Sequence, residues 1–162
     1  MSLLTKQISV FVAFSCLLLL GCESEKNATY YQKTAADWES YVSEISDSNG
    51  VSLENTIILV LKSSECAPAI SELKMWDDFI SEDNKFSVKL VIIEKYERAS
   101  QVFLEEQDIT LPSFFDTDGL VLERNLLPTT PMKVFINGEG TIEKMGSIDS
   151  RSSAKDFLSM GA

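Results

Sequence analysis

Residues 56–73 read TIILVLKSSECAPAISEL, and this stretch decides the fold. Its first part, residues 56–61, is an apolar run rich in β-branched side chains, which is typical of a strand buried on both faces. Cys66 follows at a turn. The pattern over residues 70–80 then predicts an amphipathic helix, with Ile70, Leu73, Trp76 and Ile80 on one face. A buried strand, a turn that carries a cysteine and a helix are therefore expected in direct succession.

Hydrophobic periodicity predicts further helices and strands around this unit. The helices place apolar residues on one face at Trp38, Tyr41, Val42 and Ile45, at Ala99, Val102 and Phe103, and at Ala154, Phe157 and Leu158. The strands are expected at residues 88–93, 111–115, 132–136 and 141–145, and the hairpin sequence NGEG at 137–140 joins the last two. The strand–helix–strand start requires parallel strands with a right-handed crossover, and the hairpin adds antiparallel strands. We therefore expect an α/β fold with a mixed central sheet and helices on both faces.

The first 21 residues are expected to be an export signal that does not belong to the fold. Residues 8–20 are apolar apart from two serines, and this run is too short to favour a stable membrane span. It is followed by Gly21 and Cys22, and the sequence LLGC at 19–22 resembles the lipobox of bacterial lipoproteins. The alternative is an ordinary secretory signal in which Cys22 has no special role.

The lipobox resemblance implies a lipid-anchored protein of the bacterial cell envelope. Cleavage would precede Cys22, whose sulfur would take a diacylglyceryl group and whose amine would take an acyl chain such as palmitate. Residues 22–29 would then form a polar tether, and residues 30–162 the folded domain on the exported side of the membrane. Glu23, where many inner-membrane lipoproteins have aspartate, favours the outer membrane only weakly, and the acidic residues 23–25 leave export to the cell surface open as an alternative.

Cysteine and charge counts narrow the classes of function. If Cys16 leaves with the signal and Cys22 carries lipid, Cys66 is the one thiol left of three, so no intrachain disulfide can form. Removing Lys6 from the 14 Lys and Arg leaves 13 cations against 25 Asp and Glu, a net charge of −12. Such a surface repels nucleic acid. The chain has no histidine, the usual metal ligand and general base, and we expect neither a metal nor a cofactor.

The turn at Cys66 resembles the active-site turn of the thioredoxin-like superfamily, in particular its membrane-anchored thiol-oxidoreductase and peroxiredoxin-like branches. Residues 64–73, SECAPAISEL, match the turn and the start of its helix. Cys66 holds the position of the reactive cysteine, whereas Ala69 holds the position of the second, resolving cysteine. The resemblance implies a three-layer α/β/α sandwich in which one thiol of a dithiol site is missing.

Two further segments resemble the same superfamily. Residues 129–140, TTPMKVFINGEG, match its threonine–proline segment, where a cis proline precedes a strand and a hairpin, and residues 116–119, DTDG, match a turn before it. The resemblance implies that Pro131 is cis and faces Cys66, and that the backbone of Thr130 pairs with a substrate peptide. The alternative is a trans proline that opens an edge strand.

The missing thiol leaves three functions open. A dithiol enzyme needs a resolving thiol, which Ala69 cannot supply, so a monothiol enzyme would need a protein or a low-molecular-weight thiol as its partner. The domain could instead be a non-catalytic binding module in an envelope complex. A one-cysteine peroxide reductase ranks last, because Ser63 stands where that family has threonine and its upstream proline is absent. The helix N-terminus favours a reactive Cys66 and Glu65 opposes it, so an inert cysteine also stays open.

Overall fold

The computed structural model describes residues 33–46, 50–82, 85–149 and 154–159. The expected signal peptide, Cys22 and the tether lie outside these residues. In the described part of the chain, no helix is long and apolar enough to cross a membrane.

Helices and strands follow the order that the sequence predicts, with one short helix added. The helices are α1 (Ala35–Ile45), α2 (Ala67–Glu82), α3 (Glu97–Gln107), α4 (Leu120–Glu123) and α5 (Ala154–Ser159), and the strands are β1 (Thr56–Lys62), β2 (Ser87–Ile93), β3 (Ser113–Asp116), β4 (Met132–Ile136) and β5 (Ile142–Ser147). The short helix α4 was missed because four residues are too few to show a helical period.

The described strands form one mixed sheet in the order β3-β2-β1-β4-β5. The pairs β1–β2 and β2–β3 are parallel, and the pairs β1–β4 and β4–β5 are antiparallel. Lys62, the last residue of β1, lies opposite Ile93, the last residue of β2, while Val60 lies opposite Met132, the first residue of β4. We call the edge where β1, β2 and β3 end and β4 begins the carboxyl edge. The turn at Cys66 and the Thr130–Pro131 segment both lie at this edge.

Two apolar layers cover the sheet and give the expected three-layer α/β/α sandwich. Alternate residues of β1 divide between them: Ile57, Leu59 and Leu61 pack with α2, α3 and α5, whereas Ile58 and Val60 pack with α1 and α4. A strand buried on both faces needs apolar residues at every position, which explains the unbroken run in the sequence. The predicted inner faces of α1 and α2 are confirmed, with Trp38 and Trp76 among the largest fully buried side chains.

The predicted inner face of α3 is confirmed at Phe103 and wrong at Ala99, while Val102 is half-buried and belongs to neither apolar layer. Ala99 is exposed, and Ser100 is fully buried in its place, one turn before Phe103. The prediction placed the apolar Ala99 inside and the polar Ser100 outside, but burial of Phe103 sets the phase of the helix and turns Ser100 inward. Strand β3 also begins two residues later than expected, at Ser113, because Leu111 and Pro112 belong to the preceding loop.

Asp116 is not a turn residue but the buried end of β3. Its carboxylate accepts hydrogen bonds from the Tyr41 hydroxyl at 2.9 Å and from the amides of Leu120 and Val121 at 2.9 and 3.0 Å. Burial and the neighbouring carboxylate raise the pKa of the Tyr41 hydroxyl, so it remains a donor. Asp116 therefore ties α1 to β3 and to the first turn of α4.

Candidate functional site

Cys66 lies directly before helix α2 and is exposed. Its carbonyl accepts hydrogen bonds from the amides of Ala69 at 3.0 Å and Ile70 at 3.4 Å, so its backbone begins the first helical turn. The Glu65 amide donates to the carbonyl of Lys62 at 3.1 Å, which closes the turn after β1. A thiol held at a helix N-terminus and open to solvent can be reached by disulfides and other electrophiles in solution.

Ala69 lies one helical turn beyond Cys66 and is fully buried in the apolar layer under α2. Its methyl group therefore occupies the inner side of the turn, while the Cys66 side is open to solvent. Cys66 is the one cysteine among the described residues and is not in a disulfide, so no second thiol in this part of the chain lies beside it.

The Thr130–Pro131 peptide bond is cis, as predicted. Pro131 directly precedes β4, and its carbonyl accepts a hydrogen bond from the Ile148 amide at 3.3 Å. Because Met132 pairs with Val60 near the end of β1, the segment lies at the carboxyl edge, on the β4 side of the turn that carries Cys66. The docking role expected for Thr130 and Pro131 stays a prediction.

On the opposite side of β1, the loop after β2 is joined to the Cys66 turn. The Ser63 hydroxyl donates a hydrogen bond to the carboxylate of Glu94, which follows the last residue of β2. Glu94 could not be predicted from the sequence, because its contact with Ser63 depends on the parallel register of β1 and β2. The bond also engages the residue that stands where a peroxiredoxin-like site would have threonine.

A buried ion pair lies one turn beyond Ala69 along α2, on the face of the sheet that α2, α3 and α5 cover. Glu72 and Lys133 pair through Oε1 and Nζ, with side-chain exposures of only 1% and 2%. The Trp76 indole donates to the same oxygen at 3.1 Å, and the Asp149 amide donates to Oε2 at 2.7 Å. The Lys133 ammonium also lies 4.9 Å from the centroid of the Phe157 ring. The pair therefore joins α2, β4 and the segments that lead into and form α5.

Neither Glu72 nor Lys133 was predicted as a site residue, although the sequence contains one signal for the pair. Lys133 interrupts the otherwise apolar strand MKVFI, all five residues of which are buried. A lysine in such a strand is rare unless a charged partner meets it. The partner could not be named from the sequence, since Glu72 and Lys133 are 61 residues apart.

The sequence matches no protein-family model and no curated protein. Solved structures do resemble the chain. They include a secreted Mycobacterium tuberculosis disulfide oxidoreductase homologous to E. coli DsbE, with 17% identity, a TM-score of 0.54 and coverage of 67% of this chain and 81% of that one. StoA from Bacillus subtilis has 22% identity, a TM-score of 0.54 and coverage of 65% and 80%.

A third similar structure is that of a Chlorobium tepidum protein described as a thiol:disulfide interchange protein DsbE, with 15% identity, a TM-score of 0.58 and coverage of 67% and 77%. At these identities the likeness establishes the fold. The chain has the thioredoxin-like α/β fold, which confirms the fold class predicted from residues 64–73 and 129–140.

Lys133→Met is expected to lower the free energy of unfolding by about 3–5 kcal/mol, because it leaves the Glu72 carboxylate buried without its cation. The double variant Glu72→Gln/Lys133→Met removes both charges and should recover about 2 kcal/mol of that loss. The recovery is partial because the single glutamine oxygen can accept from only one of the two donors, the Trp76 indole and the Asp149 amide. Urea denaturation measures both. Lys89→Met, on the half-exposed face of β2, is the control and should change the value by less than about 0.5 kcal/mol. Equal losses in the single and double variants would contradict a charge-pairing role.

Proposed function

We propose that this protein is a lipid-anchored monothiol thiol–disulfide exchange protein of the bacterial cell envelope. One observation carries the proposal: an exposed cysteine directly precedes α2 at the carboxyl edge, and the buried residue one helical turn further, Ala69, has no thiol. The thioredoxin-like fold and the cis Thr130–Pro131 segment beside this turn support it. One similar structure is that of a secreted disulfide oxidoreductase, which is consistent with thiol chemistry outside the cytoplasm.

The proposed chemistry uses one protein sulfur and an external thiol. The Cys66 thiolate attacks one sulfur of a substrate disulfide, so that a new S–S bond forms and the other substrate sulfur leaves as a thiolate. Because Ala69 cannot attack the mixed disulfide, an external thiolate attacks the substrate sulfur of that disulfide. A new S–S bond joins the external thiol to the substrate, and Cys66 leaves as a thiolate. No net electrons enter or leave the protein, and the substrate disulfide exchanges one of its halves for the external thiol.

The Thr130–Pro131 segment is the proposed docking element. Thr130 precedes the first residue of β4 by two positions and is half-buried, so its backbone lies at the start of β4, on the carboxyl edge that also carries the Cys66 turn. A peptide that pairs with this backbone would bring its own cysteine toward the end of β1. The same element would serve a binding module that uses no redox chemistry.

The non-catalytic binding module is the second candidate, and two acidic residues favour it. Glu65 directly precedes Cys66, and Glu94 is hydrogen-bonded to the same turn through Ser63. Carboxylates near a thiol oppose the thiolate that exchange requires. In that case the fold would keep its docking edge and Cys66 would be inert.

Reaction with oxidised glutathione separates these two candidates. If the monothiol function holds, native protein gains one glutathione on Cys66 about tenfold faster than the urea-unfolded protein, because exchange requires the folded turn to make this thiol more reactive than an ordinary one. Mass spectrometry follows the adduct, and added reduced thiol should remove it. Cys66→Ser should gain no adduct. A native rate below the unfolded rate would reject exchange and favour the binding module.

Ala69→Cys is expected to restore a dithiol site. The new sulfur would lie one turn from Cys66 on the same helix start, within reach for a disulfide. Under oxidising buffer the variant should lose two hydrogens by mass spectrometry and regain them with reductant. Ala99→Cys, on the exposed side of α3, is the matched control and should keep two free thiols. Two free thiols in both variants would show that position 69 is not the resolving position.

Cys22→Ser is expected to release the protein from the membrane fraction, because only a cysteine can take the thioether-linked lipid that the proposed anchor requires. Cys16→Ser changes the other cysteine of the proposed export segment and should stay in the membrane fraction after a salt wash. Fractionation and immunoblotting measure both. Retention of Cys22→Ser in the washed membranes would contradict the proposed anchor.

A further inference from the structure

Tyr96 is the large apolar side chain that stands exposed among the described residues, with 64% of its surface accessible. It precedes α3 as its N-terminal cap residue but makes no side-chain capping bond. Serine, threonine, aspartate or asparagine would stabilise the helix better at this position. Neither burial in the core nor helix capping therefore accounts for a tyrosine here.

The backbone beneath the Tyr96 ring is fixed. Its carbonyl accepts hydrogen bonds from the amides of Ala99 at 2.9 Å and Ser100 at 3.4 Å. The Lys95 ammonium lies 5.6 Å from the ring centroid. A tyrosine side chain has only two rotatable χ angles, and here its backbone is already fixed. It therefore loses little conformational entropy when a partner covers it.

Tyr96 lies at the carboxyl edge, in the loop that is bonded to the Cys66 turn. It follows Glu94 by two residues, and Glu94 accepts the hydrogen bond of Ser63. Strand β1 lies between β2 and β4 in the sheet. The Tyr96 loop after β2, the Cys66 turn after β1 and the Thr130 segment before β4 therefore form a row along the carboxyl edge. Neighbouring strands are about 4.8 Å apart, so this row spans roughly 10 Å. An extended peptide crosses that distance with about three residues.

Charge does not select a partner along this row. Residues 62–66 and 94–98 contain three cations, Lys62, Lys95 and Arg98, and three carboxylates, Glu65, Glu94 and Glu97. The charges of these two loops therefore cancel, although the whole chain carries −11. The exposed Tyr96 ring can select a partner along this row, because an aromatic ring packs best against apolar side chains.

We propose that Tyr96 is a specificity-determining residue, and that the substrate of Cys66 is an extended polypeptide whose cysteine has an apolar neighbour. This inference rests on the proposed function and deepens it, because it selects a protein partner over a small thiol compound. The peptide crosses the carboxyl edge, its cysteine meets Cys66, and its apolar side chain covers the Tyr96 ring. Tyr96 acts in binding and takes no part in the exchange of sulfur.

The test uses two synthetic octapeptides that each carry one central cysteine as a mixed disulfide with thionitrobenzoate. One has leucine two residues before and after the cysteine, and the other has serine at both places. The Cys66 thiolate attacks the peptide sulfur, a Cys66–peptide disulfide forms, and coloured thionitrobenzoate leaves with the electron pair. The small disulfide of thionitrobenzoate itself reports reactivity of the thiol without a peptide.

Wild-type protein is expected to react with the leucine peptide roughly fivefold faster than with the serine peptide, the effect of one aromatic–apolar contact. Tyr96→Ala should bring this ratio close to one and leave the reaction with the small disulfide unchanged. Tyr96→Phe should keep the ratio, since the ring and not the hydroxyl makes the contact. Lys95→Ala is the neighbouring control and should also keep it. An unchanged ratio in Tyr96→Ala would overturn the inference.

A non-covalent arm separates this inference from the proposed function. Cys66→Ser protein is titrated with the leucine peptide in which serine replaces cysteine, and binding is followed by calorimetry or NMR. Weaker binding after adding Tyr96→Ala supports the docking role even if Cys66 is inert toward every disulfide. Equal binding with and without the Tyr96 ring, together with an unchanged rate ratio, rejects Tyr96 while leaving the exchange chemistry of Cys66 intact.

Discussion

The buried ion pair between Glu72 and Lys133 is the contact on which the geometry of the site depends. Neither charge reaches water, so each needs the other, and α2 cannot slide along β4 without separating them. Cys66 lies six residues before Glu72 on α2, and Pro131 lies two residues before Lys133 on β4. One interaction therefore fixes the turn that carries the thiol against the segment that carries the cis proline.

Packing around this pair extends the constraint to the rest of the sheet. The Asp149 amide brings the end of β5 to Glu72, and Phe157 brings α5 over Lys133. Apolar residues of the same size could pack here at least as well, so the retained charges act chiefly by specifying one arrangement of α2, β4 and α5. On the other face, Asp116 plays a comparable part by holding α1 and α4 with neutral donors.

Much of the fold and part of the site could be predicted from local sequence. The apolar run of β1, the hairpin of β4 and β5, the cysteine at a helix start and the cis Pro131 each depend on a few adjacent residues. The features that were missed depend on contacts between distant segments. Ser100 replaced Ala99 on the inner face of α3 through the helix phase, and Glu94 and Tyr96 joined the site only through the parallel register of β1 and β2.

The methyl group of Ala69 has a consequence for time as well as for chemistry. In a dithiol site the second cysteine of the same protein attacks the mixed disulfide, so the release rate is set by the protein itself. Under the proposed function, a bond made at Cys66 has no internal competitor and persists until a thiol arrives from the surroundings. The lifetime of each captured partner would then depend on the concentration of thiol reductant outside the cytoplasm. The time that a partner stays bound to Cys66, and not a catalytic rate, would therefore reflect how reducing that compartment is.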